Sequence, residues 1–321
     1  MMQAAVLTGA GGVELARCAP PAPGPGQLRV RLEGTGVCGS NVPVWEGRPW
    51  FDYPRPPGSP GHEGWGEVDA IGAGVETGWL GRRVAMLSEH AYAEWDVAGA
   101  EAVVPVPAGL ESFPCPGEPL ACAVNVMRRA AVGPGELVVV VGVGFLGAAL
   151  VALARHAGAR VVAVSRRRYA CRLAESLGAL TACTVGEDDG AILGVVNEAT
   201  SGALADCVIE AVGTQRTLDL AAALTRVRGR LVIAGYHQDG LRQVDMQLWN
   251  WRGLDVINAH ERDQAVYVAG MREALSLASD GVLPLGRLIT HSVPLADLGR
   301  AFTLMAERPD GFLKAIVTCR T

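Results

Sequence analysis

Residues 138–147 read VVVVGVGFLG, an apolar run that closes on Gly142, Gly144 and Gly147 in GxGxxG spacing. Residues 136–143 have the length and β-branched content of a buried strand, and residues 145–156 carry the apolar periodicity of a helix. At such a junction the first glycine permits a tight turn, the second lets a pyrophosphate approach the backbone, and the third lets helix and strand pack closely, with phosphate charge at the helix N-terminus. Gly142, Gly144, Phe145, Leu146 and Gly147 are therefore the expected dinucleotide-binding turn. An idle glycine turn between a strand and a helix is the competing reading, and the pattern on either side decides against it.

Downstream, strands and helices alternate: ARVVAVS, then RRYACRLAESLG; DCVIEAVG, then TLDLAAALTRV; then the strands GRLVIAGY and LDVINAH. Such repetition predicts a doubly wound parallel sheet with helices on both faces, the Rossmann arrangement of an α/β domain. Upstream of residue 103 the texture is different. QLRVRLEG, GWGEVDAIG, GRRVAML and AYAEWDVA are short runs between Gly and Pro punctuation, which predicts an all-β domain. After residue 262 come two helical stretches and a last strand, FLKAIVTC, able to return to the first domain. The 321 residues thus divide into a β-rich domain (1–122 and 264–321) and a dinucleotide-binding domain (123–263), as the length alone suggests.

A dinucleotide's ribose 2′-hydroxyl is held by an Asp or Glu about 20 residues past the fingerprint, at the end of the second strand. Here that strand ends on Ser165 and runs into Arg166, Arg167 and Arg168. A hydroxyl and guanidinium groups suit a 2′-phosphate, so NADPH is expected over NADH; a solvated basic start to the next helix is the alternative. Val212, Gly235 and Tyr236 lie at or just beyond the C-terminal ends of expected parallel strands and are candidates for contact with the nicotinamide, with His237 and His260 nearby.

Net charge is −5 with pI near 5.7, which argues against nucleic-acid and anionic-membrane partners. The N-terminus has no basic region followed by an apolar core and cleavage site, and every long apolar run is interrupted by glycines, so a cytoplasmic protein is expected. Eight cysteines occur without a CxxC pair, which reads as free thiols. Only Lys314 among the 28 basic residues is lysine, a compositional bias without chemical content at this level.

Three segments of the β-rich half carry metal-ligand chemistry. TGVCGSN holds Cys38, SPGHEGWGEV holds His62 and Glu63, and CPGEPLACAVNVMRR holds Glu118. Zinc accepts thiolate, imidazole and carboxylate, and a catalytic site keeps one position open. One Cys, one neutral His and one Glu carry a charge of −2, which balances Zn²⁺.

Together these segments resemble the zinc-containing medium-chain dehydrogenase/reductase family, closest to its alcohol and sorbitol dehydrogenase members. GVCGSN is similar to the family's G-[IV]-C-G-[ST]-D, the stretch from VWEGR to GHEGWGEV to its W-x-x-G-R and G-H-E-x-x-G, EPLACAVNVMRRAAV to its E-P-L segment, and AYAEWDVAGAEAVVPVPAGL to its A-E-[YFW] strand. The resemblance covers nearly the whole chain and implies a GroES-like catalytic domain beside the Rossmann domain. It implies Cys38, His62 and Glu118 as zinc ligands, Glu63 as a neighbouring or exchanging carboxylate, and Ser40 as the hydroxyl that passes on the substrate proton. The implied activity is hydride transfer between NADP(H) and an alcohol or carbonyl compound (polyol, secondary alcohol, ketone or aldehyde), in a homodimer or homotetramer. Asn41 stands where the family has Asp and would accept the imidazole N–H only as a neutral amide; Pro43 replaces a relay histidine and Asn125 another frequent histidine. The four-cysteine lobe of many relatives is missing, so one zinc per chain is the ceiling. Trp45, Trp50, Phe51 and Tyr53 are candidates for the substrate wall, with ordinary packing as the alternative. Two other readings stay open at this level: a zinc-independent quinone, enoyl or imine reductase, and a non-catalytic NADPH-binding protein that keeps a fossil site.

Overall fold

In the computed structural model, which describes residues 1–184 and 190–319, the chain divides into one unit of Met1–Ala121 with Asp263–Thr321 and a second of Cys122–Arg262. The first unit begins with a hairpin, β1 (Met2–Gly9) and β2 (Gly12–Cys18). It continues through β3 (Gln27–Gly36), β4 (Gly64–Ile71), β5 (Arg83–Met86), β6 (Trp95–Gly99) and β7 (Val103–Pro105). One apolar cluster of this unit gathers Leu28, Val30, Leu32, Val68, Val84 and Met86, the inward positions of an alternating pattern.

The second unit carries β8 (Leu137–Val141), β9 (Arg160–Ser165), β10 (Thr181–Thr184), β11 (Ala205–Glu210), β12 (Thr225–Ile233) and β13 (Asp255–Asn258). All pair in parallel, in the order β10-β9-β8-β11-β12-β13. The order reverses direction between β8 and β11, the place where open α/β sheets bind ligands. Every residue of β8 is buried, as a strand covered on both faces requires. Gly142 follows it at φ +102°, a backbone conformation that favours glycine, and the helix Phe145–His156 starts at once. A Cβ on Gly147 would stand 1.9 Å from the carbonyl oxygen of Gly142, so helix and strand approach closely only with glycine there.

The chain then returns to the first unit with the helix Gln264–Ser279, β14 (His291–Pro294), the helix Leu298–Glu307 and β15 (Ala315–Thr318). β15 pairs antiparallel with β3, completing a sheet of order β14-β15-β3-β4-β5-β7 with β6 also on β3. Among the described residues no helix is long and apolar enough to cross a membrane.

The structure differs from the periodicity at several places. Within AYAEWDVA only Trp95 onward joins the β6 strand; Ala91–Ala93 are buried instead beside β1, with the Ala5 amide donating to the Tyr92 carbonyl. Residues 225–227, expected to end a helix, begin β12, because Thr225 is β-branched and buried on a strand face. The hairpin β1–β2, β10 and the helix Gly190–Thr200 lie outside the elements that the pattern marks.

Candidate metal centre and dinucleotide turn

Three neighbouring strands bring the candidate ligands to one end of the first unit's sheet. Gly36 at the end of β3 lies opposite Ile316 of β15, and Thr35 lies opposite Gly64 of β4. Cys38 therefore follows the end of one strand while Glu63 and Lys314 immediately precede the starts of its two neighbours. Antiparallel pairing turns residues that are far apart in sequence into a cluster. Donor atoms of Cys38, His62 and Glu63 lie within 4.8 Å of one another.

His62 is oriented by its own segment. Its Nδ1 stands 3.0 Å from the carbonyl oxygen of Pro60, which only accepts, so Nδ1 carries a proton and Nε2 is left for a metal or for Cys38. The Asn41 side chain, expected to take this N–H, turns its Nδ2 toward Nδ1 at 3.5 Å, and two donors cannot pair. Asn41 is anchored instead by the buried Tyr92, whose hydroxyl donates to Oδ1 at 2.7 Å. The orienting role expected of residue 41 thus falls to a backbone carbonyl, which no side-chain pattern reveals.

Glu63 is fully buried and faces the chain's only lysine, itself 3% exposed. Its Oε1 accepts a hydrogen bond from Lys314 Nζ at 2.7 Å; Oε2 lies 2.5 Å from the same nitrogen yet out of hydrogen-bonding alignment. A Cβ on Gly36 would meet Oε2 at 1.7 Å, so residue 36 must be glycine for the carboxylate to sit there. Glu118 is not one of the three converging residues. It occupies the first turn of the helix Gly117–Ala130, where Tyr267 donates a 2.9 Å hydrogen bond to its Oε1. Asp263 caps the helix that carries Tyr267, accepting from the amides of Ala265 and Val266.

The electrostatics of the cluster suit a cation. Burial disfavours the imidazolium of His62, but the hydrogen bond and charge of Cys38, with the charges of Glu118 and Glu63, outweigh it and raise the pKa to about 10. Burial lifts the Glu118 carboxyl above its ordinary range, against the pull of His62. With a divalent ion bound, when His62 must be neutral to ligate, a thiolate, two carboxylates and one ammonium would sum to −2, the charge that ion offsets. The donor set, the charge and the unaligned buried oxygen of Glu63 all fit zinc.

Elsewhere the candidates fare differently. Ser40 lies in the single turn Gly39–Asn41, half-buried. Trp45 stacks on Phe302 at 5.8 Å, Phe51 and Tyr53 pack on the same apolar cluster, and only Trp50 is largely exposed, so three of the four aromatics are accounted for by core packing. In the second unit the Arg167 amide donates to Ser165 Oγ at 3.3 Å, and its guanidinium reaches the carbonyl of Val143 inside the glycine turn. Arg166 is exposed. Val212 packs against the first fingerprint glycine, since a Cβ on Gly142 would lie 2.3 Å from its Cγ2. Tyr236 is half-exposed with its ring against His260, whose Nε2 lies 3.3 Å from the carbonyl oxygen of Gly235. The residues missed by sequence reasoning are Pro60, Tyr92, Tyr267 and Lys314; only the last left a signal, as the sole lysine.

Comparison with known proteins bears on both units. The family described as Zinc-binding dehydrogenase matches residues 146–278, and that described as Alcohol dehydrogenase GroES-like domain matches residues 24–113. An alcohol dehydrogenase of Rhizobium meliloti (strain 1021) is 30% identical over 67% of this chain and 71% of its own. The L-galactonate-5-dehydrogenase of Escherichia coli (strain K12) is 25% identical over 93% of both chains. The crystal structure of 2R,3R-butanediol dehydrogenase from Bacillus subtilis shares the fold with a TM-score of 0.85 over 99% of each chain, at 24% identity.

Proposed function

The chain belongs to the zinc-binding dehydrogenase family, among its alcohol and sorbitol dehydrogenase-like members, and is an oxidoreductase acting on alcohols; from that premise we propose a zinc-dependent enzyme that interconverts a secondary alcohol or polyol and its carbonyl compound with NADP(H). The observation that carries this reading is the convergence of Cys38, His62 and Glu63 beside Lys314.

When bound, zinc supplies Lewis-acid polarisation of the substrate oxygen and the nicotinamide supplies or accepts the hydride. Cys38 and His62 would hold the ion together with a carboxylate. Glu63 is the acid nearest to both, and Glu118, kept on Tyr267, adds negative charge beside His62. The Pro60 carbonyl oxygen accepts the hydrogen bond of Nδ1–H, which holds the proton on Nδ1 and keeps the Nε2 lone pair of His62 free. The Ser40 hydroxyl, two residues past Cys38, passes the substrate proton: from the alcohol to water in oxidation, and from water to the substrate oxygen in reduction. Ser165 and Arg167, beside the glycine turn and with no carboxylate at the strand end, favour a 2′-phosphate, hence NADPH and the direction of carbonyl reduction.

The test combines metal analysis with cofactor titration. About one zinc per chain is expected, lost in Cys38→Ala. Arg167→Ala should weaken NADPH by about 1.5–3 kcal/mol while sparing NADH, the value of a charge-assisted hydrogen bond. A chain that holds no zinc when purified without chelators would overturn the metal reading, and equal NADH and NADPH affinities would overturn the cofactor preference.

A further inference from the structure

Glu210, the last residue of β11, is a fully buried carboxylate that the mechanism above does not use. Its Oε1 accepts three hydrogen bonds at 2.8 Å, from the amides of Val212 and Gly213 and from the Thr217 hydroxyl. Its Oε2 faces His237 Nε2 at 3.1 Å. On the far side of that ring, Arg242 Nε donates to Nδ1 at 2.8 Å. A guanidinium only donates, so Nδ1 is an acceptor, the proton sits on Nε2, and His237 is a neutral bridge from a fixed cation to a fixed anion. Arg242 closes the loop by donating to the Gly213 carbonyl at 2.8 Å and to Asp239.

These bonds tie together two segments, residues 211–213 after β11 and residues 234–242 after β12. Gly235 allows the approach, because a Cβ there would lie 2.3 Å from the Gly213 amide and 2.6 Å from Glu210 Oε2. Both segments emerge from the C-terminal ends of the parallel strands, and Val212 abuts Gly142 at the point where strand order reverses. A doubly wound sheet has two mononucleotide-binding halves. Here β8–β10, with the glycine turn, Ser165 and Arg167, form the adenosine half, which leaves β11–β13 to the nicotinamide half.

Resting on the dinucleotide reading above, we propose that Glu210, His237 and Arg242 are positioning residues that fix the two loops receiving the nicotinamide end of the cofactor. Their removal costs affinity for the whole dinucleotide while leaving the adenosine end untouched. The network contacts the cofactor only through the backbone it holds.

The experiment compares, in the unaltered chain and in His237→Phe and Arg242→Met, the dissociation constants of NADPH and of adenosine 2′,5′-bisphosphate, which lacks the nicotinamide half. NADPH binding is expected to weaken about tenfold in both variants, the effect of breaking one buried, charge-assisted bond, with the bisphosphate unchanged. Arg242→Lys, which keeps a donor near Nδ1, should recover part of the loss. Parallel weakening of both ligands, or no weakening of either, overturns the proposal. If the unaltered chain binds NADH and not NADPH, NADH and AMP replace the pair and the inference is tested unchanged. Binding of neither dinucleotide overturns both it and the reading it rests on. Should His237→Phe not fold, Arg242→Met alone decides, because that side chain reaches the network from its rim.

Discussion

Replacing Lys314 with methionine leaves the fully buried carboxylate of Glu63 without its counter-ion. Breaking such a pair costs on the order of 3–5 kcal/mol, so thermal or urea unfolding should show a loss of that size, and Glu63→Gln in the same chain should restore part of it. His62 gives the site a second, pH-linked signature. In the metal-free chain its pKa stands at about 10 against an ordinary 6.5. A raised pKa favours the folded state through the protonated form, so this contribution is complete below pH 6.5 and disappears as pH climbs through 10. Chelator-treated protein should therefore lose Tm across that interval in a thermal-shift series, and zinc-loaded protein should not show the His62 component. Cys38 and His62 stood out in the sequence because their residue types announce ligand chemistry, with Glu118 expected beside them and Glu63 as an exchanging carboxylate; it is Glu63, not Glu118, that the structure brings within 4.8 Å of both. Lys314 was not legible, although its rarity was visible, since only the pairing of β15 with β3 brings it from 251 residues away to Glu63.

For the elements, legibility followed burial on two faces. The strand at 137–141 and the helix Phe145–His156 stood out because an unbroken apolar run, three spaced glycines and a 3.6-residue period agree with one another. β10, only four residues long and half-buried, carries no such agreement. Residues 225–227 misled because a helix and the following strand adjoin without a loop: Leu224 ends one and Thr225 begins the other. The glycine turn gives a prediction at this scale. Gly147→Ala pushes a methyl against the Gly142 carbonyl oxygen, which must move the helix off its strand, so dinucleotide binding by fluorescence titration should fall below detection while zinc content is kept.

For the chain as a whole, each unit has its own apolar interior. Leu137, Val139, Val162, Val208 and Leu231 belong to one, and Leu7, Tyr92, Phe302 and Val317 to the other. Residues 117–262, expressed alone, should fold cooperatively and bind the dinucleotide without zinc; failure of circular dichroism to show a cooperative transition would overturn that independence. The first unit has no such freedom, since β15 arrives at the end of the chain to lie against β3. Glu63 leaves the ribosome 251 residues ahead of the lysine that neutralises it. At about 5–20 residues per second this is roughly 10–50 s of translation, during which the nascent N-terminal half carries an acid it cannot bury. The Glu63–Lys314 pair is therefore among the last contacts of the first unit that synthesis permits, and the cluster around His62 takes its final form only once β15 has been made.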